Sequence, residues 1–191
     1  MKRNQHLFTL LVLGSAVALA QEKAPTPVAE FGMNYSLFNS HPGTGAPSFN
    51  ASGGSGTFAY NFNSMFSAVA DLGGYHNTVS VNYDPTTFTY LFGPRVSLRR
   101  SRITPYAQAL FGGARQWTSF VNPTTLAYNP PGNGFAAAFG GGMDIRVRDH
   151  ILVKPFQMEY LMTQVSNPWS TAGTQNGLRY SAGVVFTLGS K

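Results

Sequence analysis

The sequence predicts an all-β protein: an eight-stranded antiparallel up-and-down transmembrane β-barrel. Three observations carry this. Eight segments alternate apolar with polar or small residues, the period-two pattern of a strand with one apolar face. Charged residues make up 10% of the chain and aromatics 14%, whereas a soluble domain ordinarily has about 25% charged residues with which to wet its surface. The connections between segments alternate short and long, as in barrels with tight turns at one membrane face and loops at the other.

Met1-Lys2-Arg3, an almost wholly apolar run from Leu7 to Ala20, and Ala18-Leu19-Ala20 before Gln21 are the parts of a secretory signal peptide. The run is shorter than the roughly 20 residues of a spanning helix. The expected division is 1–20 signal peptide and 21–191 barrel domain, leaving 171 residues (191 − 20) in one domain. No later segment is apolar enough for a spanning helix, and the absence of Cys excludes disulfide and thiolate chemistry. The formal charge of +6 falls to +4 once Lys2 and Arg3 are removed. The remaining positives form neither a helical stripe nor an aromatic-interleaved patch, so nucleic acid is not an expected partner.

After a polar lead at 21–27, strand 1 spans about 28–38, with Ala29, Phe31, Met33, Tyr35 and Leu37 opposite Glu30, Gly32, Asn34 and Ser36. The Pro-containing stretch 39–50 reads as a loop. Strand 2, about 52–62, sets Phe58, Tyr60 and Phe62 against Thr57, Ala59 and Asn61; a tight turn at Asn63-Ser64 leads into strand 3, about 65–75, whose polar face carries Ser67, Asp71 and Gly73. Residues 76–85 form the second loop. Strand 4 alternates Phe88, Tyr90, Phe92, Pro94, Val96 and Leu98 with Thr87, Thr89, Gly93, Arg95 and Ser97. Pro94 cannot donate to a ladder, which predicts an irregularity there. The basic turn 99–102 precedes strand 5, about 103–116, in which Tyr106 and Leu110 interrupt the parity, and the third loop is 117–133. Strand 6, about 134–147, places Ala136, Gly140, Asp144 and Arg146 on its polar face. A turn at 148–150 leads to strand 7, about 151–165, in which Phe156, Met158, Tyr160 and Met162 oppose Gln157, Glu159 and Thr163. Residues 166–176 form the fourth loop. Strand 8, from 177, has Leu178, Tyr180, Ala182, Val184, Phe186 and Leu188 on one face and Arg179, Ser181, Gly183 and Thr187 on the other, with Val185 the one break.

Ser181-x-Gly183-x-x-Phe186-x-Leu188 resembles the polar-x-Gly-x-x-aromatic-x-hydrophobic signal that closes bacterial outer-membrane barrels, which makes Ser181, Gly183, Phe186 and Leu188 candidate assembly residues. The whole mature chain resembles the small OmpA-like outer-membrane β-barrel family in length, strand count and loop asymmetry. The same likeness extends to Gly183-Val184-Val185-Phe186-Thr187-Leu188 and to Lys154-Pro155-Phe156-Gln157-Met158-Glu159-Tyr160-Leu161. It departs from the family at its end, which is Lys191 rather than an aromatic residue. The resemblance implies a barrel without a peptidoglycan-binding domain, in the outer membrane of a Gram-negative-type bacterium. Its expected partners are outer-membrane lipids and lipopolysaccharide, the barrel-assembly machinery during biogenesis, and a surface ligand; a monomer is expected.

Charge placement gives the candidate site. Glu30, Asp71, Asp144 and Glu159 lie on the polar parity, as do Arg95, Arg146 and Arg179. An Arg or Lys on the lipid face at mid-bilayer costs roughly 2–4 kcal/mol. The lumen of an eight-stranded barrel is just wide enough for side chains to fill, so these seven residues are expected to pair inside and plug it. Strand adjacency suggests Glu30 with Arg179, and Arg146 or Asp144 near Glu159. Lys154 shares parity with Phe156 and is expected on the lipid side near a membrane edge, where it can snorkel. Aromatic girdles are expected, one of Phe62, Phe66, Phe156 and Phe186 and the other of Phe38, Phe88, Phe111, Phe135 and Tyr180.

His41, His76 and His150 fall in loops or turns without metal-ligand spacing, and the Gly runs at 112–113 and 140–142 lack phosphate-loop spacing and read as close strand packing. No cofactor, metal or catalytic residue is expected. The function expected is structural or surface-interactive: membrane integrity, or adhesion through the loops. Two alternatives stand beside it. One is a barrel enzyme acting on lipid A, with His76 and Ser80 as its nearest candidates. The other is a secreted lipocalin-like carrier, which would turn the aromatic faces inward.

Overall fold

The computed structural model describes residues 26–42, 49–76, 84–119, 132–167 and 170–190. The proposed signal peptide and Ser80 lie outside them. Eight antiparallel strands close in chain order: β1 (Ala29–Pro42), β2 (Phe49–Asn61), β3 (Phe66–His76), β4 (Asp84–Ser97), β5 (Ile103–Ser119), β6 (Gly132–Arg148), β7 (Ile151–Asn167) and β8 (Ser170–Leu188). β8 returns to β1, with Phe31 opposite Phe186 and Asn34 opposite Gly183, so neither strand leaves a long open edge. Among the described residues there is no helix.

The strands outrun the sequence reading at the end bearing the long connections. β7 runs to Asn167 and β8 starts at Ser170, so most of the expected fourth loop is paired strand. β1 extends through Pro42 and takes His41 into the sheet. These stretches lack the apolar alternation that marks a lipid-facing strand, but a hairpin partner satisfies their backbone groups all the same.

Pro94 does not shift the register. Phe92 opposes Phe111 and Arg95 opposes Gln108 on β5, and Pro94 itself faces Ala68 on β3. An irregularity sits instead at Pro155. Lys154 opposes Gly183, but Gln157 opposes Ser181, so β7 has one extra residue against β8. This bulge reverses the facing of everything before it. Tyr106 and Leu110, the interruptions in the β5 pattern, share the inward parity with Gln108 and are buried. Phe38 also follows its parity inward. It packs with its ring 6.3 Å from that of Tyr75 rather than joining the outer aromatic girdle.

The outer wall is apolar. Phe31, Tyr35, Phe58, Phe66, Phe92 and Phe139 are all exposed, while Glu30, Asp71, Arg95, Glu159 and Arg179 are buried. A soluble carrier would have the reverse arrangement. A charge placed on this wall should therefore damage the membrane-inserted state. Phe92→Arg and Phe139→Arg, at positions 55% and 43% exposed, are each expected to cost about 2–4 kcal/mol near the midplane. Urea titration of the barrel folded into phospholipid vesicles measures it, and unchanged midpoints at both positions would mean that this wall does not face lipid.

Candidate functional site

The inward faces of β5, β6 and β7 stack in three rows: Tyr106–Gly142–Gln157, Gln108–Gly140–Glu159 and Leu110–Ala138–Leu161. The glycines decide what happens in the first two. With no side chain on β6, those of β5 and β7 meet across it. The Tyr106 hydroxyl donates to Gln157 Oε1 at 2.6 Å, and Gln108 Nε2 donates to Glu159 Oε1 at 2.7 Å. A Cβ on Gly140 would run into the Met158 carbonyl and Glu159, and one on Gly142 into the Tyr106 hydroxyl and Gln157. In the third row Ala138 and two leucines continue an apolar cluster with Leu91, Ala114 and Ala136 toward the end bearing the long connections.

Arg179 holds the centre. It is wholly buried. Its Nε and Nη2 donate to Glu159 Oε2 at 2.8 and 2.5 Å, and its Nη1 donates to Asp71 Oδ1 at 2.9 Å and to the Tyr75 hydroxyl at 2.6 Å. Asp71 and Tyr75 lie on β3, three staves round from β8, so one side chain joins two walls of the lumen. Gln157 Nε2 donates to Glu159 Oε2 at 2.7 Å, and Lys154 Nζ donates to Gln157 Oε1 at 3.0 Å.

A second cluster lies toward the short turns. Arg99 Nη2 donates to Glu30 Oε1 at 2.6 Å and to Asn61 Oδ1 at 2.8 Å, and Arg95 Nη1 is 3.7 Å from Glu30 Oε2. Asn61 donates to Glu30 at 3.0 Å and accepts from Ser67 at 2.5 Å. Arg95 connects the two clusters: its Nε donates to Gln108 Oε1 at 2.8 Å, and its guanidinium lies 4.3 Å from the Tyr106 ring centroid. Asp144 is buried with its Oδ1 unpartnered among the described residues.

Six of the seven sequence-predicted charges, Glu30, Asp71, Arg95, Asp144, Glu159 and Arg179, are buried in the barrel; Arg146 is not. Arg146 is half-buried at the short-turn end, opposite Leu152, and forms no ion pair with another described residue. Two basic residues take their places in the lumen beside Arg95 and Arg179. Lys154, expected on the lipid side, is 1% exposed because the Pro155 bulge turns it inward. Arg99, read as part of a turn, continues the Arg95–Ser97 parity one step past the end of β4, and its side chain is 4% exposed. Four acids, Glu30, Asp71, Asp144 and Glu159, then face four bases, Arg95, Arg99, Lys154 and Arg179.

The suggested partners differ as well. Glu30 opposes Thr187 whereas Arg179 opposes Phe38. At about 3.3 Å per residue, Glu30 and Arg179 are too far apart along the barrel wall to meet. Asn61, Gln108 and Gln157 were legible as inward residues from parity, but their role as relays between charges depends on the register.

In the assembly motif, Ser181 Oγ lies 2.8 Å from Ser36 Oγ across the β1–β8 seam. A Cβ on Gly183 would meet Met33 and Asn34 at the same seam. Phe186 and Leu188 are exposed on the outer wall. His76, the last residue of β3, is exposed, and its Nδ1 lies 3.3 Å from Thr86 Oγ1. No group of three or more His, Cys, Asp or Glu side chains suited to a metal occurs among the described residues.

A closed eight-stranded barrel with an apolar outer wall and a charged interior defines the class of small outer-membrane β-barrels. Comparison with solved structures supports the same fold. Neisserial surface protein A superposes with a TM-score of 0.68 at 13% identity, covering 84% of this chain and 97% of that one. Ail, the attachment invasion locus protein of Yersinia pestis, gives 0.55 at 13% identity, covering 83% and 97%. OprG of Pseudomonas aeruginosa gives 0.51 at 12% identity, covering 89% and 99%. No protein-family model and no curated protein matches the chain. The chain therefore shares the closed eight-stranded fold of these outer-membrane barrels.

Removing one partner of a buried ion pair costs roughly 3–5 kcal/mol. Arg179→Met is expected to lose that much in vesicle-folded protein, and Arg146→Ala no more than about 0.5 kcal/mol, as for an unpaired surface position. Equal losses in urea titration would contradict the pairing described. Gly140→Ala should cost about 1–3 kcal/mol by overpacking, measured in the same way, because the two nearest atoms it meets are backbone.

Proposed function

We propose that this protein is a non-enzymatic outer-membrane barrel with a closed lumen, acting through its external loops in surface interaction and through its wall in membrane integrity. The observation that carries the closed lumen is Arg179, wholly buried and bonded to Glu159 on β7 and Asp71 on β3. An eight-stranded lumen filled from wall to wall leaves no continuous water path. The barrel is proposed to stand as a monomer among outer-membrane lipids and lipopolysaccharide, inserted by the barrel-assembly machinery.

The loop sequences give the surface reading its chemistry. Segments 43–48, 77–83, 120–131 and 168–169 contain no Asp, Glu, Lys or Arg, but hold Tyr83, Phe120, Tyr128 and Trp169 among Asn, Thr, Pro and Gly. Such loops suit neutral ligands recognised by stacking and amide or hydroxyl hydrogen bonds, a sugar face or an uncharged peptide. A complex of Ail with the heparin analogue sucrose octasulfate is among the similar structures; the present loops lack the basic residues that a sulfated ligand calls for.

Planar-bilayer recording tests the closed lumen. The unmodified protein should show no large steady conductance, and Arg179→Met should raise the frequency of openings; a wide resting pore overturns the reading. Deleting 122–131 should leave a heat-modifiable barrel on gels while reducing adhesion of cells that display it, since loops of this composition tolerate change. Undiminished adhesion would count against that loop as the contact. Lipid A from expressing cells should be unaltered in mass; a shifted mass would favour the enzyme reading centred on His76 and Ser80.

A further inference from the structure

Outside the lumen, most of the basic side chains of the described residues are gathered at one end. Among the described residues, four bases lie in the lumen and Arg115 stands near the external rim, its guanidinium 5.1 Å from the Trp117 ring centroid. The other four are Arg100, Arg102, Arg146 and Arg148, all at the short-turn end. They come from two connections that the backbone joins: Arg146 N–H donates to the Arg102 carbonyl at 2.8 Å, and Ile103 opposes Ile145. Arg102 and Arg148 are exposed, and Arg100 and Arg146 half-buried. None of the four forms an ion pair with another described residue, and Arg100 Nε is buried without a hydrogen-bond partner. Among the described residues the one acid beside them outside the lumen is Asp149, leaving the group about three charges positive.

The same turns carry lipid-facing side chains. Leu98 and Ile103 flank Arg100 and Arg102, Val147 lies between Arg146 and Arg148, and all three apolar residues are exposed, Val147 at 60%. Arg102 and Arg146 continue the inward parity of Thr104 and Asp144 at the mouth of the barrel, and all four arginines lie where the apolar wall ends, at the depth of lipid headgroups. In barrels of this class the short turns are periplasmic, so the facing headgroups are those of the inner leaflet. Guanidinium groups bind phosphate oxygens through paired N–H donors, and basic clusters at a membrane surface attract anionic lipid.

We propose that Arg100, Arg102, Arg146 and Arg148 form a binding site for the phosphodiester headgroup of an anionic phospholipid in the inner leaflet, anchoring the barrel's depth and its β4–β5 and β6–β7 turns. The site rests on the outer-membrane reading for its orientation. It is independent of what the external loops bind.

The test compares the full mature barrel in phosphatidylcholine vesicles and in phosphatidylcholine mixed with phosphatidylglycerol. Addition of phosphatidylglycerol should raise the urea midpoint of the unmodified protein, an effect that fades with added salt. In mass spectra of protein released from mixed micelles, phosphatidylglycerol adducts should exceed phosphatidylcholine adducts several-fold. The variant R100Q/R102Q/R146Q/R148Q should fold in phosphatidylcholine as the unmodified protein does and lose both effects, while R115Q keeps them. If the fourfold variant does not fold, R100Q/R102Q and R146Q/R148Q should each lose part of them. Equal phosphatidylglycerol effects in the unmodified protein and the variants, or none in the unmodified protein, overturn the site. Inorganic phosphate or soluble polyphosphate raising the midpoint in pure phosphatidylcholine as much as phosphatidylglycerol does would assign the patch to a periplasmic anion and overturn the lipid assignment. Failure to insert into phosphatidylcholine at all would instead strike at the membrane reading itself.

Discussion

A guanidinium placed in the middle of a narrow barrel has to be matched on every side, and Arg179 sets the terms for the rest of the interior. Taking an ion out of water costs several kcal/mol even after relaxation, and the attraction of a partner repays it only with good geometry and satisfied hydrogen bonds. Arg179 meets that condition through Glu159, Asp71 and Tyr75, which come from β7 and β3. Their positions fix the register of these two strands relative to β8. Glu159 in turn needs Gln157, beside it on β7, and Gln108, which reaches it across β6 because residue 140 is glycine. The glycine-rich stretch and the charged interior are thus one arrangement: removing side chains from one stave lets its two neighbours make hydrogen bonds across it.

The wall and the lumen obey opposite rules on the same eight strands. The period-two alternation enforces the division along most of each strand, and a one-residue slip would exchange the two faces. At Pro155 the structure uses that sensitivity. A residue that cannot donate to the ladder sits where β7 gains one residue on β8, and Lys154 enters the lumen instead of the lipid. With Arg99 it brings the basic residues inside to four, against four acids. A balanced interior lowers the cost of every charge in it, because each acid raises the field that stabilises its basic neighbours.

Charge is also partitioned along the barrel axis. Segments 43–48, 77–83, 120–131 and 168–169 hold no charged residue, the lumen is balanced, and the short-turn end carries an unpaired group of arginines among the described residues. With only 10% charged residues in the chain, each placement has a clear physical consequence. Neutral loops suit a neutral surface ligand, a cross-linked interior suits a closed lumen, and a basic rim suits the phosphate level of the membrane.

The barrel itself was legible from the residues alone, because strand alternation, low charge and turn spacing are local properties that lipid and water impose directly. Parity also identified Glu30, Asp71, Arg95, Asp144, Glu159 and Arg179 as inward residues, and the Gly140–Gly142 run as a place of close approach. What parity does not contain is depth. Glu30 and Arg179 sit on adjoining staves yet meet different partners, since the register between β1 and β8 sets them far apart along the wall. The facing of Lys154 depended on a bulge that exists only when β7 is paired with β8. Phe38 and Arg99 were misplaced where an expected girdle and an expected turn were preferred over parity. Alternation told which way each side chain faces; the staggered closure of eight strands decided which of them touch.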